Sequence, residues 1–259
     1  MSKAKRRKHK LSVVSGFHYF RLVFRSALFL SGVICYLIHL IGAEYDALPD
    51  FLLSTWFVAA VWLIFAFEMV TRMFPSKLES PGCQKQFACN YIKTGETDTQ
   101  FSDNNATVLV ALLWITLNGI IGAIKLSGLI DDNVMLLICL FYSVCDMICI
   151  LFFCPFQTWF LKNKCCSACR IYNWDYAMMF TPLFFVNNWY ARSLLILSVG
   201  LLFRWEITIF RHPERFSEKT NGYLTCANCT EKLCSHKKQL QSLWVDIAAF
   251  TKKRIEILK

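Results

Sequence analysis

Charge is scarce in this chain. Only 18% of its 259 residues are Asp, Glu, Lys or Arg, where a soluble domain carries roughly 25%. The apolar excess, 56% hydrophobic residues at a mean hydropathy of +0.40, comes in long blocks, which excludes an ordinary soluble core and points to a membrane bundle. Catalytic signatures are also missing. There is no Walker A loop, GxGxxG, HExxH or GxSxG in a strand–turn–helix context, so the chemistries those motifs serve have no footing here. A cleavable leader is not expected. The basic N-terminal run is followed by about 20 apolar residues, longer than the ~7–15 of a signal peptide and without its small-residue cleavage site. Histidine is too rare for a buried bis-histidine haem: His39 alone sits well inside an apolar block, with His18 and His212 at block edges.

The apolar blocks predict spans at about 22–41, 51–73, 106–129, 134–154, 172–187 and 190–210. The turn Asp131-Asp132-Asn133 separates the third from the fourth, and His212-Pro213 ends the sixth. The fifth block is short. Its sixteen residues contain Asp175 and Pro182, and as an α-helix they rise about 24 Å against a ~30 Å hydrocarbon core. It is expected as a kinked span or as a re-entrant segment. No tandem repeat appears beyond a duplicated CxxC. Leu240, Leu243, Trp244, Ile247 and Phe250 mark one face of an amphipathic C-terminal helix.

Basic residues set the expected orientation. The N-tail 1–21 opens with six Lys/Arg before residue 11, loop 75–105 has Lys77, Lys85 and Lys93, and loop 155–171 has Lys162, Lys164 and Arg170. The tail 211–259 holds ten more, whereas the three opposite turns hold Arg192 alone. The positive-inside rule then places both termini in the cytoplasm, in the cell membrane or another internal membrane. The net charge of +10 is topological on this reading. No nucleic-acid-binding motif accompanies it, so the expected partners are the lipid bilayer and a membrane or cytoplasmic protein. Asn105-Ala106-Thr107 matches a glycosylation sequon on the expected cytoplasmic face, and modification there would refute the orientation.

Ionisable residues inside spans are costly and mark function or pairing. Arg25, Glu68, Lys125, Arg204 and Glu206 lie near block ends, where snorkelling or local ion pairs suffice. Asp146 lies deeper. It is expected to pair with an Arg or Lys of a neighbouring span, with a proton or cation relay as the functional alternative.

The thirteen cysteines carry the chemical signal. Cys35, Cys139, Cys145 and Cys149 fall in spans and are expected to pack as small hydrophobes; Cys154 stands at a span end. Cys83, Cys89, Cys165, Cys166, Cys169, Cys226, Cys229 and Cys234 all fall on the expected cytoplasmic face. In a reducing compartment clustered thiols serve as metal ligands or redox centres rather than disulfides. Two residues between thiolates let both sulfurs reach one ion from a tight turn, and zinc sites use such turns in pairs. Cys166/Cys169 with Cys226/Cys229 complete a tetrahedral set, with Cys165, Cys234 and His236 as further ligands. Zinc is the expected metal, and an iron–sulfur cluster on the same thiolates is the alternative.

The expectation is therefore an all-α polytopic membrane bundle, with six spans or five plus a re-entrant segment, and a Cys-rich cytoplasmic layer. A four-thiolate site would staple loop 155–171 to the tail in a scaffold or accessory subunit. A closed site of that kind lacks the open position hydrolysis needs. A quinone-linked redox protein and a transporter or channel using Asp146 are the competing expectations.

Overall fold

The computed structural model describes residues 12–41, 55–99, 104–162, 165–229 and 231. Helix α1 runs Val13–Ile41, α2 Thr55–Thr71, α3 Pro81–Gln84, α4 Asn104–Leu126, α5 Asp132–Leu151, α6 Asp175–Phe180 and α7 Trp189–Arg211. Among the described residues there is no strand, only a single bridge between Lys93 and Asn221.

Four of these helices (α1, α4, α5 and α7) are long and apolar enough to cross a membrane. Their outward faces stay apolar: Ile115 and Ile196 are 65% and 70% exposed, which suits lipid rather than water. The sequence places the first span from residue 22, but α1 begins at Val13 and takes His18 and Arg21 into the helix. Polar residues extend the helix there because they are buried against other elements, not solvated. The second expected span is helical over Thr55–Thr71; its residues 51–54 lie outside the described ones.

The fifth block is not one helix. A 3-10 turn at Tyr172–Trp174 leads into α6, and Thr181–Phe185 continues as a second 3-10 stretch before α7. Pro182 has no N–H to donate and stands at the start of that second stretch. Tyr176, Met179, Phe180 and Leu183 are fully buried and form the main core with Phe65 and Met69 of α2, Met135 and Cys139 of α5 and Leu201 of α7. The tip of the Phe185 ring abuts Gly122 of α4, where any Cβ would collide with it.

Helix starts follow ordinary capping chemistry. The Asp131 side chain accepts from the Val134 N–H at 2.9 Å to begin α5, and Asn188 accepts from the Tyr190 N–H at 3.0 Å to begin α7. After α7 the chain turns at His212-Pro213 and folds back on loop 86–94. The Gly222 N–H donates to Ile92 O at 2.7 Å, the Ile92 N–H to Asn221 Oδ1 at 3.2 Å, and Arg215 to Gln86 O at 3.1 Å. The tail is thus tied first to loop 75–105 by backbone hydrogen bonds, where the sequence directs attention to loop 155–171. The amphipathic segment 240–250 lies outside the described residues.

Candidate functional site

Two helices supply paired charges one turn apart. Arg21 and Arg25 share a face of α1; Glu68 and Arg72 stand at the end of α2. Packing brings them together with Asp146 of α5 and with Asp175 and Tyr176 of α6. Arg25, 1% exposed, donates to Glu68 Oε2 at 2.8 Å, Asp146 Oδ2 at 3.0 Å and the Ser143 carbonyl at 3.2 Å. The Tyr176 hydroxyl donates to the same Glu68 oxygen at 2.8 Å. Arg21 bridges Glu68 at 3.1 Å and Glu79 at 2.9 Å, and Arg72 pairs with Asp175. This ion layer sets three guanidinium groups against four carboxylates (Glu68, Glu79, Asp146 and Asp175). Asp146 is therefore paired, as the sequence suggests, and Arg25 does not snorkel. Arg21, Arg72, Glu79 and Asp175 are members that block-by-block reading passes over, although the four-residue spacing of Arg21/Arg25 and Glu68/Arg72 was a usable signal.

Beside the layer, the loops bury further polar groups. Burial pushes Glu79 upward, but Arg72 and Arg21 outweigh it and hold the carboxyl below the usual range. The Cys83 thiol on α3, 1% exposed, is pushed up to about 12 by burial. Lys85, equally buried, is driven down to about 8 by desolvation. Its Nζ donates to the carbonyls of Ser167 at 2.5 Å and Cys169 at 3.1 Å, and it lies over the rings of Trp205 and Phe216. Arg170 pairs with Glu206 at 2.7 Å, and the Trp174 indole donates to the same carboxylate at 2.7 Å. His18 meets Glu231 at 3.2 Å, and the Ser15 hydroxyl donates to the Glu231 carbonyl at 2.6 Å.

Each CxxC stretch is closed by a backbone hydrogen bond from its second cysteine to its first, across a 3-10 turn at Cys166–Ala168 and a plain turn at 226–228. The Cys169 N–H donates to Cys166 O at 3.0 Å, and the Cys229 N–H to Cys226 O at 3.4 Å. They differ in surroundings. Cys169 is 5% exposed with its thiol raised to about 12 by burial, whereas Cys226 is exposed. Helix α3, which carries Cys83, touches both the 166–168 turn and the 222–224 turn. Among the described residues no three His, Cys, Asp or Glu side chains gather as a metal site. Cys165, Cys166, Cys169, Cys226 and Cys229 are described; Cys234 and His236 lie outside the described residues.

A cavity of about 290 Å³ opens between α4, α5, α6 and the 154–172 segment. Asp146 and Asp175 belong both to the ion layer and to this cavity's wall. Cys145, Cys149, Cys154, Cys166 and Cys169 also line it. The first two, four residues apart on α5, share a helix face. Sequence reasoning assigned Cys145 and Cys149 to packing, because nothing local says that a cavity faces them. Comparison with protein-family models, curated proteins and solved structures finds no match.

Proposed function

We propose that the chain is a multi-pass membrane protein with both termini on the cytoplasmic face, and that it acts as a binding protein, scaffold or accessory subunit that holds a ligand in the cavity beside the ion layer. The observation that carries this is the cavity itself, about 290 Å³ with two carboxylates and a few other polar groups on a mostly apolar wall, a common composition for a ligand site. A charge network as costly to bury as this one gives that wall a fixed geometry.

Six crossings are consistent with the broken fifth block. A 3-10 turn rises about 2.0 Å per residue and extended chain about 3.3 Å. Residues 175–188 therefore reach at most roughly 30 Å, whereas a continuous α-helix of this length would stop short of the hydrocarbon thickness. The orientation is supported by the gathering of Arg21, Arg25, Arg72, Lys85, Arg170 and Arg215 at one end, against Lys125 and Arg192 at the other.

The cavity reading is tested with a small brominated apolar probe. Trp114 lines the cavity, so entry quenches its fluorescence. Cys149→Phe, which fills the volume, should abolish that quenching. Equal quenching in the filled variant would place the probe elsewhere and remove the reading.

We also propose a second site on Cys166/Cys169 and Cys226/Cys229, a zinc staple with Cys165, Cys234 and His236 as further ligands and an iron–sulfur cluster as the alternative occupant; the hydrogen bond that closes each CxxC turn supports it. Elemental analysis of anaerobically purified protein separates these. Stoichiometric zinc without colour supports the staple, iron with acid-labile sulfide supports a cluster, and neither element removes both.

A further inference from the structure

The cavity wall carries carboxylates and aromatic rings but no basic side chain. Asp146 and Asp175 line it, and among the described residues no Lys, Arg or His does. Its rings pack as a cluster. Trp114 of α4 lies 4.7 Å from Tyr142 of α5 and 6.4 Å from Phe156, centroid to centroid. Tyr142 and Asp146 stand four residues apart on α5 and share a helix face.

Behind the wall the charges do not balance. The ion layer sets Glu68, Glu79, Asp146 and Asp175 against Arg21, Arg25 and Arg72. Neutrality requires one more positive charge, a cation or a proton. The two wall carboxylates differ in what they can still accept. Both oxygens of Asp175 are engaged, Oδ2 by Arg72 and Oδ1 by the Tyr176 N–H. Asp146 meets Arg25 through Oδ2 alone, and no donor among the described residues reaches its Oδ1. Its side chain is 14% exposed, and that open acceptor stands at the cavity wall.

A metal ion does not suit this wall, because no three His, Cys, Asp or Glu side chains gather among the described residues. An ammonium group does suit it. Such a group carries one charge, donates hydrogen bonds to a carboxylate oxygen, and is attracted by Trp and Tyr rings. The apolar remainder of an amine fits the apolar remainder of the wall. At about 290 Å³ the volume stands at the small end of ligand pockets, which run from about 300 to 1,000 Å³, so the amine is a small one.

We propose that the cavity binds a small organic cation, a protonated amine with an apolar body, whose ammonium group donates to Asp146 beside the Trp114 and Tyr142 rings. This rests on the cavity being a ligand site, and it names the ligand's class. The bound amine supplies the charge that the ion layer lacks.

The experiment uses the full chain in phosphatidylcholine nanodiscs and three brominated probes of matched size: para-bromobenzylamine, para-bromobenzyl alcohol and para-bromobenzoate. Quenching of Trp114 reads entry, and the difference from Cys149→Phe isolates the cavity's share. The amine is expected to bind at least about 10-fold tighter than the alcohol, and the benzoate more weakly than either. Asp146→Asn keeps an oxygen for Arg25, which also keeps Glu68 at 2.8 Å. It should weaken the amine by about 10-fold and leave the alcohol within about two-fold. Should that variant fail to fold, the wild-type ranking of the three probes decides. Equal binding of amine and alcohol, or an amine unaffected by Asp146→Asn, would overturn the proposal and assign the missing charge to a proton. If the alcohol enters and the amine does not, the cavity remains a ligand site and the cation alone is lost; if no probe enters, the two readings fall together.

Discussion

The two ends of the helix bundle handle charge in opposite ways. At one end Arg25, Arg72 and Lys85 are each about 1% exposed, and every one is met by a carboxylate or a carbonyl. At the other, Lys125 and Asp132 pair at 2.7 Å with the carboxylate half exposed, and the helices are held by caps and by Phe185 seated on Gly122. Both ends carry ion pairs of similar length. The difference is the surroundings: water can replace a partner at the second end and cannot at the first. An ion pair's length therefore says little about its worth until its burial is known.

The sharpest way to break the comparison is to delete one partner at the buried end. Arg25→Ala strands Asp146 and leaves Glu68 with Arg21 as its one guanidinium partner. It should cost about 3–5 kcal/mol or prevent folding, read as loss of denaturant resistance in detergent. A smaller loss is expected from Gly122→Ala, which forces the Phe185 ring off α4; overpacking of this kind costs about 1–3 kcal/mol. If it costs nothing, steric fit does not hold the second end.

The buried end should also show in the pH dependence of stability. Lys85 titrates near 8 in the folded chain and near 10.4 unfolded, so between those values the unfolded chain binds more protons and stability rises with pH. Cys83 and Cys169 titrate near 12 folded and near 8.5 unfolded, so in that window the folded chain holds more protons and stability falls. Two falling contributions outweigh one rising, and stability should decline from about pH 8.5 to 10. Lys85→Met removes the opposing contribution and should steepen the decline; an unchanged slope would mean that Lys85 is not buried in the folded chain. The smallest effect is expected at the other end, where Lys125→Ala should cost under about 1 kcal/mol.

Much of the fold was legible. Apolar blocks located the long helices to within a few residues, except at α1, whose first turns are polar and helical because of what covers them. The cost of an uncompensated carboxylate in a membrane pointed to a partner for Asp146, and Arg25 is that partner. The remaining network was hidden. Arg21, Arg72, Glu79 and Asp175 look like boundary residues along the chain, and only the packing of four separate segments makes them neighbours. The cavity was less legible still, because Cys145, Cys149, Met178 and Met179 are ordinary core residues until a gap is known to face them.

The sequence by itself determined an all-helical chain with apolar segments long enough to cross a membrane, and the loops and tails in which its thiols and basic residues concentrate. Those properties are sums over local stretches, and hydropathy, helix caps and charge bias act residue by residue. Tertiary structure alone decided which charges meet, how the fifth block is broken, that the tail closes on loop 86–94, and where a sulfur-lined volume is left open. These are contacts between residues far apart in the chain, and the pairing energy that selects them exists only once water has been excluded from the space they share.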